Sequence, residues 1–186
     1  MLGDILDSHF SSFHTPDPDG YGAGNELERA ISRVQEWRKH FEHVRVCIGN
    51  HDAIVHRKTF EFGVSKHWVR GFNEVLNCPN WDFREYHKLD DVIYTHGTGT
   101  SGRNASVNKA LQFGQSCVQG HIHTESSIIY EGRDLFGMQI GCGVDRQSYS
   151  QNYAKFFPKT YKIACGVILK NGKLPLLEPL TTLSKQ

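Results

Sequence analysis

Four short segments carry side chains able to bind a metal ion: Gly3-Asp4-Ile5-Leu6-Asp7, Gly49-Asn50-His51-Asp52, His96-Gly97 and Gly120-His121-Ile122-His123. Imidazole suits zinc, iron and nickel and, mixed with oxygen ligands, manganese, and one carboxylate can bridge two ions. Asn50 offers a neutral amide oxygen, which leaves such a site positive enough to hold a phosphate. His121 and His123 stand two apart, so an extended backbone puts them on one face, whereas a loop can aim them at two neighbouring ions. Taken singly, each segment is as readily a turn, a hydrogen-bonded core histidine or a pair of strand residues. Their joint occurrence, in this order, points to one metal centre.

The elements that position them follow from the apolar pattern. Each segment succeeds a short apolar, strand-like run, and in open α/β sheets residues at the carboxyl ends of strands converge. A glycine beside each lets the backbone turn sharply. Residues 11–25 hold Pro16, Pro18, Gly20, Gly22 and Gly24 and read as a loop. Leu27, Ile31, Val34, Trp37 and Phe41 then recur at helical spacing, which predicts an amphipathic helix. Strands are predicted at 43–48, 91–95 and 116–119, with a helix over 104–113 between the last two. Further strands follow at 127–130, 135–140, 161–169 and 174–177, and Asn171-Gly172 marks a hairpin. The expected fold is α/β, with two packed sheets flanked by helices.

The ordered set of motifs resembles the calcineurin-like metallophosphoesterase family over residues 3–123. That resemblance implies an αββα sandwich of two mixed sheets and two divalent ions, manganese foremost, with iron, zinc or nickel as alternatives. Asp4 would bridge the ions, Asn50, His96 and His121 would complete the second ion's shell, and His123 would bind the first. His51 would stand beside the substrate as proton donor or charge stabiliser, oriented by Asp7. The implied reaction is hydrolysis of a phosphate mono- or diester by a metal-activated water. Family substrates include phosphoproteins, nucleotides and DNA; Ser8-His9, standing where protein phosphatases carry Arg-Gly, argues against the first.

The family's opening Asp-x-His motif has no counterpart, because only Met1 and Leu2 precede Gly3. The chain is therefore expected to be a single, N-terminally truncated domain lacking one or more strands. His9, His14, Asp17 and Asp19 are the nearby residues that could be recruited instead, although Asp-Pro pairs there also read as a solvated turn. The alternative function is a non-catalytic remnant of the fold that serves as a binding module.

Other signals are weaker. The loop 98–103 resembles a phosphate cradle without the Lys-Ser/Thr of a P-loop, and leaves Arg103 as a candidate phosphate contact. The glycine-rich loop 141–146 is a second candidate lining of the substrate mouth. Trp37, Trp68 and Trp81 read as packing anchors, since no basic stripe accompanies them. A formal charge of +1 on 186 residues supplies no global field for nucleic acid or membrane. The five cysteines show no metal or dithiol spacing, and Cys47, Cys117 and Cys165 in apolar runs read as small buried hydrophobes. With no membrane span or signal segment, the expected location is the cytosol.

Overall fold

The computed structural model describes residues 1–13, 15–144 and 160–180. The fold is α/β. Helix α1 (Ala23–Arg38) begins directly after Gly22, so the proline-rich loop is shorter than its composition suggests. Its face of Leu27, Ile31, Val34 and Trp37 packs with Val46, Leu76, Cys78 and Trp81 into a first core. Phe41 falls beyond the helix end and is exposed, a correction to the helical pattern. Strand β1 (Val44–Cys47) lies parallel to β2 (Trp81–Arg84), with Val44 opposite Trp81. Residues 1–2 run along β1: the Met1 amine donates to Arg45 O at 2.8 Å and Cys47 N donates to Met1 O at 3.0 Å. Helices α2 (Ile54–Glu61) and α3 (Phe72–Val75) lie between β1 and β2.

A five-stranded mixed sheet carries the second core. Its strands are β3 (Tyr86–Leu89), β4 (Val92–Thr95), β5 (Cys117–Gln119), β6 (Ser127–Glu131) and β7 (Leu135–Gln139), in the order β3-β4-β5-β7-β6. The three inner strands are parallel and each edge strand is antiparallel to its neighbour. β2 and β3 carry no clean alternation, and the hairpin joining β3 to β4 turns on Asp90-Asp91, both at positive φ. Asp tolerates that conformation, so the turn forms without glycine.

Two glycines set the layers around β7. A Cβ on Gly137 would lie 2.1 Å from Val107 N, so its absence lets helix α4 (Ala105–Phe113) press onto one face of the sheet. Met138 points to the other face, where the hairpin β8 (Ala164–Leu169)–β9 (Leu174–Pro179) covers it; a Cβ on Gly166 would lie 2.5 Å from Met138 Cε. Val92, Val118, Phe136 and Met138 fill this second core, with Leu2, Ile168 and Leu177 against them.

Three expectations are corrected. Trp81 is buried and Trp37 packs on the first core, but Trp68 is 85% exposed and anchors nothing. Lys66 and Arg70 flank it in sequence, so it does have basic company. Cys47 and Cys117 are buried, and burial pushes their thiols up to about 11 and about 12, leaving them unreactive at neutral pH. Cys165, on the outward phase of β8, is exposed. Among the described residues, no helix is long and apolar enough to cross a membrane.

Candidate metal centre

The site forms where four backbone segments meet at strand ends. Gly3 is the hub: a Cβ there would lie 2.7 Å from both Cys47 O and Gly49 N and 2.8 Å from His96 Nδ1. Its φ of 87° adds a second reason for glycine, and the turn continues into Asp4 at φ 53°. Gly49 is equally constrained, since a Cβ would sit 2.0 Å from Asp4 Oδ1. β4 delivers His96 and β5 delivers His121, which stands at φ 67°. A non-glycine residue held left-handed is uncommon, and such residues recur at active sites as well as in turns.

Asp52 locks two of these segments together, a role the sequence reading did not assign. Its buried carboxylate accepts from Asp4 N, Leu6 N and Gly49 N, each at 2.8 Å. Burial pushes its carboxyl above the ordinary carboxylate range despite those three bonds. The only available signal was its place as the fourth residue of Gly-Asn-His-Asp. A buried amide pair fixes the other side. Gln119 Nε2 donates to Gln139 Oε1 at 2.9 Å and to Thr100 Oγ1 at 3.2 Å, and Gln139 Nε2 donates to Gly120 O. The turn carrying His121 and the loop after His96 are thereby tied to the sheet.

Four ligand atoms converge. His96 Nε2 lies 3.1 Å from Asp4 Oδ2, 3.0 Å from Asn50 Oδ1 and 3.1 Å from His121 Nδ1. The other ring nitrogen, Nδ1, is 2.6 Å from Leu2 O, a carbonyl that can only accept. Nδ1 therefore carries a hydrogen, and the neutral ring turns its Nε2 lone pair toward the Asp4 and Asn50 oxygens and toward His121 Nδ1, which donates or accepts according to its tautomer. A second proton on His96 or a metal ion placed among them relieves the contact of that lone pair with the Asp4 and Asn50 oxygens. Ligands bound at about 2.1 Å in octahedral geometry sit about 3.0 Å apart. The observed separations match that spacing, so these residues fit a divalent ion. Asp4, His96 and His121 are the described side chains grouped closely enough to hold one.

The charges agree with the geometry. Burial pushes the Asp4 carboxyl up, but the hydrogen bond and charge of His96, with the His51 charge and backbone N–H, outweigh it and hold Asp4 below the usual range. Burial pushes His96 down, and the Asp4 carboxylate reverses this to a net rise. His121 is lowered by burial and then by neighbouring His96. His51 N donates to Asp4 Oδ1 at 2.9 Å, so the second Asp4 oxygen is also engaged.

His51 lies next to this group with Nδ1 2.7 Å from Asp7 O and 3.5 Å from Asp7 Oδ1. Its ring is raised to about 9, first by the hydrogen bond with Asp7, against burial, and further by the Asp4 charge. His123 stands outside the Asp4 group, edge-to-face on Tyr161 with centroids 5.7 Å apart. Arg103 is exposed in the loop before α4. His9 is buried, and its Nε2 accepts from Asp17 N at 3.2 Å while Asp17 Oδ1 accepts from Asp19 N at 3.0 Å. These three residues thus build a turn. His14 and the Asp145–Arg146 end of the second candidate mouth loop lie outside the described residues. A cleft of about 1060 Å³ opens beside Asp7, lined by Ile5, Leu6, Tyr21, Leu27, Arg29 and Val55.

No protein-family model matches the chain, and no curated protein does. Among solved structures, an archaeal phosphodiesterase superposes on 83% of this chain and 91% of its own length, at 16% identity and a TM-score of 0.40. That is a loose likeness of fold and does not bear on activity.

Proposed function

We propose that the protein is a metal-dependent phosphoesterase that hydrolyses phosphate mono- or diesters with water as the nucleophile. One observation carries the reading: the convergence of Asp4 Oδ2, Asn50 Oδ1, His96 Nε2 and His121 Nδ1 at metal-ligand spacing. In this reading Asp4 would be a ligand shared by two divalent ions, with manganese the first candidate, and Asn50, His96 and His121 would help hold one while His123 would help hold the other. Bound ions of this kind supply Lewis-acid polarisation of the phosphate and lower the pKa of water.

The chain's own residues do the rest. Leu2 O fixes the His96 tautomer and ring plane. Asp52 holds the Asp4 backbone in its left-handed turn. Asp7 orients His51 and, in the metal-free protein, raises it to about 9, which favours the protonated ring. With Nδ1 engaged by Asp7, the His51 Nε2 proton is the one available for the leaving oxygen. Asn50 and Arg103 offer the remaining contacts to phosphate oxygens. The five free cysteines suit a reducing, cytosolic compartment.

A second reading, a non-catalytic module binding one ion or none, draws support from the position of His123 against Tyr161, outside the Asp4 group. Turnover of a chromogenic phosphodiester with manganese separates the two. The enzyme reading expects turnover in the parent that Asn50→Ala and His121→Ala abolish. No turnover, together with fewer than one metal ion bound per chain by calorimetry, overturns it in favour of the second.

A further inference from the structure

The segment following the Gly49–Asp52 loop exposes aromatic rings that no core explains. Phe60 is 83% exposed, Phe62 82% and Trp68 85%, although rings of this size normally bury most of their surface. Phe60 lies in the last turn of helix α2, Phe62 caps it, and Trp68 ends the 3-10 turn Lys66–Trp68. Arg57, Lys58 and Lys66 stand among them, and over residues 54–75 four basic residues face only two carboxylates, Glu61 and Glu74. Glu74 is 3.9 Å from Arg70, so the other three cations answer to Glu61 alone in this segment. A chain of formal charge +1 thus concentrates positive charge where it also concentrates exposed rings.

We propose that this surface stacks the bases and neutralises the phosphates of a single-stranded nucleic acid whose scissile phosphate lies at the Asp4–His96–His121 site. The inference deepens the phosphoesterase reading by naming its substrate class. Two features favour a nucleic acid strand over other occupants. Aromatic faces interleaved with Lys and Arg are what an unpaired strand requires, because every base has a π-face and every linkage a charge. The segment also follows the site directly along the chain: α2 starts two residues after Asp52, and its eight residues span about 12 Å.

The test uses the full chain and a fluorescein-labelled single-stranded 20-mer of thymidine, with anisotropy read in EDTA so that no cleavage occurs. Binding is expected to weaken with salt, and Lys58→Ala and Lys66→Ala should each lower the salt slope by about 0.7. Phe60→Ala and Trp68→Ala should each weaken binding about tenfold, whereas Trp68→Phe, which keeps a stacking face, should not. All five variants are expected to hydrolyse a small chromogenic diester as the parent does. Absence of binding at low salt overturns the proposal, as does oligonucleotide binding indifferent to Phe60→Ala and Trp68→Ala. So does finding that those two substitutions instead abolish self-association or binding to anionic vesicles. Hydrolysis of the small diester without oligonucleotide binding sinks this proposal alone. Aromatic-dependent binding without any turnover supports the surface and sinks the phosphoesterase reading.

Discussion

The Asp4 backbone N–H donates to Asp52 Oδ2 at 2.8 Å across 48 residues of chain, and the same oxygen accepts from Gly49 N. One carboxylate oxygen therefore couples the loop that presents Asp4 to the loop that presents Asn50. Asp52→Ala should cost about 3 kcal/mol of stability, because one buried and two partly buried N–H groups lose their acceptor. It should also weaken metal binding by about 10- to 100-fold, as loss of a supporting residue does elsewhere. Denaturant unfolding and calorimetric metal titration read the two effects. Unchanged metal affinity in the folded variant would remove Asp52 from the site.

Gly49→Ala should damage the same coupling by sterics. Its new Cβ would fall 2.4 Å from Asp4 N as well as against the Asp4 carboxylate, and backbone cannot swing away as a flexible side chain can. A loss of about 2 kcal/mol and a matching drop in metal affinity are expected. Gly24→Ala is the control. Nothing lies within 4 Å of its added Cβ, and as an α1 residue it should gain about 0.5–1 kcal/mol. Equal effects of the two substitutions on thermal unfolding would contradict the steric account.

His51 should titrate near 9 in the metal-free protein, readable from its ring proton shift by NMR. A raised imidazole stabilises the fold fully below its unfolded value of about 6.5, and that contribution disappears as pH rises through about 9. Asp7→Asn removes the first cause of the rise, so the titration should move down toward 6.5 and flatten the pH dependence of stability over this window. Because the Asp7 side chain is 42% exposed, added salt should shrink the effect. A parent His51 titrating near 6.5 would refute the pairing.

Metal binding should appear as added stability. At a free manganese concentration about one hundred times the dissociation constant, the folded state should gain about 2.7 kcal/mol, and chelation should reverse it. His96→Ala should abolish that gain, since His96 Nε2 is within 3.1 Å of each of the other three ligand atoms. An unchanged metal-dependent shift in this variant would place the ion elsewhere.

Much of the architecture was legible from apolar pattern. The strands at 44–47, 92–95, 117–119, 135–139 and 164–169 and helix α4 lie where β-branched runs, a glycine stop or helical periodicity put them. Elements with weaker signals escaped. β2 and β3 are short, and their burial is imposed by neighbours distant in sequence rather than by alternation within them. Helix α2 keeps only Ile54 buried, so it has almost no apolar stripe to read. Trp68 was misplaced for the same reason in reverse: composition marks a tryptophan as buried, and only the path of the chain leaves it outside.

The ligand types themselves, a carboxylate, an amide and imidazoles each beside a glycine at a strand end, are written in the sequence, because residue identity fixes which atoms can bind a cation. Their convergence is not. That Asp4 Oδ2, Asn50 Oδ1 and His121 Nδ1 all come within 3.1 Å of His96 Nε2 depends on parallel pairing of β4 with β5, on Gly3 filling a space too small for a Cβ, and on Asp52 joining two loops. Those are contacts across 24 residues of chain or more. Tertiary packing decided them, since no local propensity specifies a distance between groups so far apart along the chain.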